Sequence, residues 1–295
     1  MRVSDQLYKD FTDSQKEKLY EIQNTEIKIL KEFDRICVKY GCHYSLAGGT
    51  LLGAIRHKDF IPWDDDIDID LKREDFNKMI SVLPSELGED FEFLNYNTHG
   101  KYFCDFIPRI YYKNSKAVTS HSSDGGKSNF GNDERMNRVF IELYCLHDSD
   151  SSKVKGQIFR VKEIYGMAMA HRFTPTYSDN YSAIQKMEVG VLGALGKNRP
   201  VEKLYADFEK VANKVPTGTG DVYFKPSVPL PVQEKNVFPK WEFENFVRVP
   251  FRNEEFMVPA EYIKVLESLY GDWESLPKEK DRHPGHFILD STEIW

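Results

Sequence analysis

The chain has no stretch approaching 18 uninterrupted apolar residues, which argues against a membrane-spanning helix. Its first residues, MRVSDQLYKDFTDSQKEK, lack the apolar core of a secretory signal, so a cytoplasmic location is expected. Cysteine is scarce. Cys37, Cys42, Cys104 and Cys145 are too few and too scattered for a disulfide framework in 295 residues. Cys37, Cys42 and His43 could form half of a zinc site, but no second half with suitable spacing follows, so buried reduced thiols are the simpler reading. Basic clusters are also missing, and the formal net charge is -7, which argues against nucleic acid as a partner. No internal repeat or low-complexity run is visible.

Two things are present in excess. Aromatic residues make up 14% of the chain, enough to fill a core and line a pocket as well. The second is the stretch WDDDIDID at 63–70, with five aspartates in eight positions. Like charges packed so closely repel one another, and the question is what compensates them.

The helical spacing of Leu19, Ile22, Ile29, Leu30, Phe33, Ile36, Cys37 and Tyr40 predicts a helix. Ser14 and Glu17 have the form of a capping box at its start, and Gly41 sits where it should stop. A short strand at 43–47, a turn at Gly48-Gly49 and a short helix from Thr50 to His57 follow. Residues 66–71 alternate strictly, placing Asp66, Asp68 and Asp70 on one face of a strand and Ile67, Ile69 and Leu71 on the other. A helix is expected around 76–83, with β-like runs at 91–94, 102–112 and 117–119, and a polar lid-like loop at 120–137. Alternation resumes at 139–146, with Glu142 on the face shared by Phe140 and Tyr144. Helices are then expected at 153–171, 182–196 and 201–215. A proline-rich connection at 225–239 leads to a helix from Pro259 to Tyr270. The fold class that results is α+β. A mixed-sheet core spans 1–150 and a helical C-terminal half spans 151–295, packed together as one structural unit.

Carboxylates at i and i+2 of a strand lie roughly 6.5 to 7 Å apart at Cα and can reach inward to one divalent cation. Oxygen-only ligation favours Mg²⁺ or Mn²⁺. A solvated acidic face fits poorly with isoleucines interleaved at period two. An EF-hand fails outright, because its sixth and twelfth positions would be Ile69 and Asp75. A glycosyltransferase-type Asp-x-Asp grip stays open. The glycine turn can bring backbone N–H groups and a helix N-terminus to a phosphate, with Arg56 as a further phosphate contact. Glu142 lies in the otherwise apolar run VFIELYCL, where an unpaired charge is costly. It is read as a third carboxylate at the same centre or as a general base, with a buried ion pair as the competing explanation.

SLAGGTLLGAIRHKDFIPWDDDIDID resembles the signature of the LicD family, the phosphocholine transferases of bacterial surface glycans, related to the fukutin-type ribitol-phosphate transferases. VFIELYCLHD is similar to the family's later acidic strand, and VPAEYIKVLESLYGDWESLP to its C-terminal signature. The family usually has aspartate where this chain has Glu142, and the cysteine-rich zinc element of the fukutin-related protein has no counterpart here. The resemblance implies a nucleotidyltransferase-like fold. Asp66 and Asp68 would ligate a Mg²⁺ or Mn²⁺ ion with Asp64 close by, Glu142 would be the third acid, and Asp70 would support them. Gly48, Gly49, Thr50, Arg56 and Arg109 would hold phosphates. The implied reaction transfers a phospho-alcohol, most often phosphocholine from CDP-choline, onto a sugar hydroxyl of a capsule, teichoic acid or lipo-oligosaccharide precursor. A lipid-linked acceptor would bring peripheral membrane association. Other CDP-alcohols, nucleotidyl or glycosyl transfer, and a non-catalytic glycan-binding role remain alternatives. Trp63, Tyr111, Tyr112, Tyr144 and Trp241 are the aromatic residues available for a choline cage. His283 and His286 are read as tail histidines, with closure over the site as the other option.

Overall fold

The long first helix, α1 (Asp13–Tyr40), buries Leu19, Ile22, Ile29, Leu30, Phe33, Ile36 and Cys37, the face its spacing predicts. Its start differs from expectation by two residues. Thr12, not Ser14, is the cap, and it exchanges hydrogen bonds with Gln15. Gly41 closes the helix at φ +63°, a left-handed conformation that glycine adopts without penalty. The computed structural model describes residues 11–118, 134–171, 182–228 and 235–295, so most of the expected lid at 120–137 lies outside the described residues.

A mixed sheet follows, built from β1 (Ser45–Leu46), β2 (Asp68–Lys72), β3 (Phe91–Leu94), β4 (Arg109–Tyr112) and β6 (Phe140–Ser149), in the spatial order β1-β2-β6-β4-β3. The pair β2–β6 is parallel and its neighbours are antiparallel. A parallel pair needs a long crossover, here supplied by α3 (Arg73–Glu86), β3, the helical turn α4 (Tyr96–His99) and β4. The run 102–112 is therefore only partly strand, because a 3₁₀ turn occupies Gly100–Phe103. β6 lies between β2 and β4, and all ten of its residues are buried. The short edge strand β5 (Ser115–Lys116) pairs with β11 (Glu293–Ile294), which ties the C-terminus back to the core.

Helices α5 (Val154–Met169), α6 (Ala183–Gly196) and α7 (Val201–Ala212) appear where expected. The C-terminal half also contains strands that the sequence reading did not anticipate. β7 (Val222–Phe224) pairs with the end of β6 and carries β8 (Val237–Pro239) beside it. β9 (Phe246–Phe251) and β10 (Glu254–Pro259) form a hairpin around Arg252 and Asn253. Pro259 thus ends a strand, and α8 begins later, at Tyr262–Tyr270. Arg252 takes φ +58°, held there as its guanidinium donates to Asp59, Asn24 and Gln23. α5 and α7 enclose a second apolar cluster with Val222 and Phe224, so this half packs on the sheet through its own core.

Candidate active site

Helix α2 (Gly48–Arg56) starts directly from β1, and its first residues press against the aspartates. Gly48 has φ +51°, and a Cβ there would lie 3.3 Å from Asp68 Oδ2; one on Gly49 would lie 2.8 Å from Asp64 Oδ2. Only glycines allow this approach. Thr50 Oγ1 accepts a hydrogen bond from the Asp68 backbone N–H at 2.9 Å, and Ala47 N–H donates to the Asp68 carbonyl at 2.9 Å. The turn and the acidic strand are thereby locked together.

Asp64 to Ile67 are not strand-paired, contrary to the expectation that the strand begins at Asp66. Alternation nonetheless continues through them: Asp64, Asp66 and Asp68 are partly exposed while Asp65, Ile67 and Ile69 are buried. Register then assembles the rest. Asp68 is opposite Glu142, and Glu142 is opposite Arg109, so three neighbouring strands place the three side chains in one transverse row. The next row holds Asp70 beside Tyr144.

Glu142 is fully engaged. Arg109 Nε donates to its Oε1 at 2.8 Å and Tyr144 Oη to its Oε2 at 2.6 Å. Arg109 in turn forms an ion pair with Asp105 at 2.6 Å, and all three charged groups are buried. Burial works against the ionised carboxylate of Glu142, but Arg109, His286 and the Tyr144 hydroxyl together hold its pKa below the ordinary value. The guanidinium expected on phosphate is engaged with carboxylates. Arg56 likewise donates to the carbonyls of Trp273 and Ser275, at 2.9 and 3.2 Å.

The three aspartates behave in the opposite way. Asp68 is pushed well above the ordinary carboxylate range by burial and then by Asp66 and Glu142; Asp64 is pushed well above it by burial and Asp66. Asp66 is raised by burial and by Asp65 and Glu142, against the pull of His286. Asp68 Oδ1 is buried without a hydrogen-bond partner. A set of converging oxygens with raised pKa values and one orphaned acceptor fits a hard divalent cation, which would remove the repulsion.

Several contributors escaped the sequence reading. Asp65, assigned no role from alternation, accepts hydrogen bonds from the backbone N–H groups of Gly285, His286 and Phe287, and so anchors the C-terminal segment under the site. His286, read as a tail residue, has Nδ1 3.6 Å from carboxylate oxygens of both Asp65 and Asp66. Burial alone would lower its pKa, but Asp66 and Asp65 raise it well above the ordinary value. His283 is exposed and contacts only the Pro284 carbonyl among the contacts described. Potential ligand atoms of Asp65, Asp66 and His286 lie within 4.8 Å of one another. Asp65 is occupied by three backbone N–H groups, whereas Asp66 interacts with the neighbouring acids Asp64 and Glu142.

Lys225 donates to Asp70 Oδ1 at 2.9 Å, both side chains buried, and covers the Tyr144 ring at 4.6 Å. Asp70 is therefore a paired structural charge next to the site. Glu26 of α1 is fully buried with neither oxygen hydrogen-bonded; burial and then Asp66, Asp65 and Asp64 push its pKa well above the ordinary range. Its position was legible, because Ile22, Glu26, Ile29 and Phe33 fall on one helical stripe. The Tyr270 hydroxyl comes within 4.0 Å of where a Gly48 Cβ would be, and burial and Asp64 raise its pKa.

Of the aromatic residues considered for a choline cage, Tyr144 touches the acidic row by its hydrogen bond to Glu142. Tyr111 and Tyr112 lie in the core, Trp63 is buried under the Arg282 guanidinium, and Trp241 is 47% exposed on the turn after β8.

Residues 41–176 match the family model described as LicD/FKTN/FKRP, nucleotidyltransferase domain, a span that contains the glycine turn, the aspartates, Arg109 and Glu142. Lipopolysaccharide cholinephosphotransferase LicD of Haemophilus influenzae is 25% identical over 277 residues, 91% of this chain and 96% of that protein. The ribitol 5-phosphate transferase FKRP of human and of mouse is 46% identical over 48 residues, 16% of this chain and 10% of those proteins. The family's domain runs through every element of the acidic site, and likeness to one of its transferases continues along nearly the whole length, so residues 41–176 are a LicD-type nucleotidyltransferase domain.

Proposed function

We propose that this chain transfers a phospho-alcohol group, phosphocholine in the first instance, from a CDP-alcohol to a sugar hydroxyl of a bacterial surface glycan. The observation that carries the reading is the approach of Asp64 and Asp68 to the glycine turn, with Asp66 raising the pKa of both and Asp68 Oδ1 buried and unpartnered. The full-length likeness to a lipopolysaccharide cholinephosphotransferase supports phosphocholine as the group and a glycan as its acceptor. The short, higher-identity match to ribitol 5-phosphate transferases is the reason to test other alcohols.

Asp64, Asp66 and Asp68 would hold a Mg²⁺ or Mn²⁺ ion, with Glu142 behind them; when bound, such an ion neutralises the charge of a diphosphate and of its leaving group. The start of α2 offers the N–H groups of Gly48, Gly49 and Thr50, which no helical carbonyl can satisfy, to the donor's phosphates. Arg109 acts through Glu142 by keeping it ionised, and a carboxylate held at low pKa serves better as a ligand than as a general base. His286 stands at the rim, where Asp65 fixes its backbone. Fixing the phosphorus in line with the acceptor hydroxyl is then a matter of positioning and electrostatics.

The test is a donor panel. Purified protein with Mg²⁺ or Mn²⁺ and a surface-glycan acceptor is given CDP-choline, CDP-ethanolamine, CDP-glycerol or CDP-ribitol. CMP release with a phosphorus-containing mass gain on the acceptor is expected, largest with CDP-choline. Gain of a hexose from a sugar nucleotide instead would identify a glycosyl transferase, and absence of any turnover would favour a binding module.

A further inference from the structure

Helix α6 carries two apolar faces. One packs on α5, where a Cβ on Gly166 would lie 2.7 Å from Leu192 and one on Gly196 would meet the Met167 backbone. The other holds Ile184, Met187, Val191 and Leu195, at spacings of three, four and four, exposed at 73%, 66%, 55% and 58%. Four large apolar side chains in one helical stripe are not the scattered exposure that any surface shows. The pairs Lys162–Glu188, Gly166–Leu192 and His171–Gly196 advance together along both helices, so α5 and α6 run parallel. Phe159 of α5, 62% exposed, therefore falls near the Ile184 end and lengthens the stripe.

The charge around this stripe opposes that of the whole chain. Residues 153–171 and 182–199 hold seven Lys or Arg against two acids, in a protein of net charge -7. Both acids are neutralised locally, Glu163 by Arg160 and Glu188 by Lys162. Lys155, Lys186 and Lys197 are exposed beside the apolar residues. Among the described residues no helix is long and apolar enough to cross a membrane, and α6 has only 14 residues. An apolar stripe flanked by lysines on a helix too short to span is suited to lie in an interface plane.

We infer that the α5–α6 face docks on an anionic lipid bilayer surface, with Phe159, Ile184, Met187, Val191 and Leu195 entering the headgroup boundary and the surrounding lysines meeting lipid phosphates. The surface stands apart from the phospho-alcohol chemistry proposed above, because its test reads lipid binding alone.

The full chain is floated with vesicles of phosphatidylcholine and with vesicles containing phosphatidylglycerol. At least tenfold tighter binding to the anionic vesicles is expected, weakening as salt is raised. Met187→Glu with Leu195→Glu should reduce that binding at least tenfold, and Lys186→Glu with Lys197→Glu several-fold at low salt. Circular dichroism checks that each variant folds. Should one fail to fold, the anionic-over-neutral ratio and salt dependence of the unaltered protein still decide. No preference for anionic vesicles, or binding unmoved by the folded variants, overturns the inference. So does a concentration-dependent dimer, seen by sedimentation without lipid, that the Met187 and Leu195 changes dissolve, because the stripe would then bind a second copy.

Discussion

Asp68 and Glu142 face each other across the β2–β6 pair, yet their environments act on them in opposite directions. Glu142 has a guanidinium and a phenol as donors, whereas Asp68 has one orphaned oxygen and acids for neighbours. Neutral amide replacements should therefore have opposite effects on stability. In chelator, Asp68→Asn removes a repelled carboxyl and should raise the unfolding free energy by about 1 kcal/mol, while turnover falls about 10³-fold or more. Glu142→Gln leaves buried Arg109 with one carboxylate fewer and should cost about 3 kcal/mol. Urea denaturation with parallel activity assays reads both, and shifts of the same sign would contradict the account of the acidic row. Identity at these positions was plain in the chain, but the opposite directions of their pKa shifts were not, since these depend on Arg109 standing 33 positions away.

At the scale of the element, the glycine turn and the acidic strand form one device. Alanine at position 49 is compatible with a helix start, and glycine-to-alanine changes in helices are mildly stabilising. Its Cβ would nevertheless sit 2.8 Å from Asp64 Oδ2 and drive that carboxylate away. Gly49→Ala is expected to leave unfolding stability within about 1 kcal/mol, lower turnover about tenfold and raise the Mg²⁺ or Mn²⁺ concentration needed for half-maximal activity. A metal titration of turnover checks it, and an unchanged metal requirement would separate Gly49 from the carboxylate site. The strand, turn and helix here were readable because each rests on local spacing. The β9–β10 hairpin was not, because its turn, Arg252-Asn253, lacks the glycine that marks such turns and is held in place by distant side chains.

For the molecule as a whole, Glu242 is a pH-dependent weak point. It is buried on the turn between β8 and β9, and one of its oxygens has no hydrogen-bond partner. Burial and then Glu261 raise its pKa from 4.5 to about 7. A raised acid binds its proton more tightly folded than unfolded, so its contribution to stability is lost as pH climbs from about 4.5 to about 7. Glu242→Gln should stabilise the protein by about 2 to 3 kcal/mol at pH 8 and by little at pH 4.5, measured as the difference in unfolding free energy between variant and parent at each pH. An equal effect at both pH values would remove protonation as the cause.

What the chain determined alone is whatever neighbours in sequence decide: the buried stripe of α1 and its glycine stop, the period-two aspartates, the glycine turn, and an α+β order of elements. The same stripe already contained Glu26. Tertiary structure decided which charges meet. Lys225 reaches Asp70 across 155 positions, and Asp65 holds backbone groups 220 to 222 positions away. Such partners carry no local signal, because a buried charge takes whichever counter-charge strand order and register bring beside it. That order is set by packing of the whole chain, and it made His286 part of the site and Arg109 the keeper of Glu142.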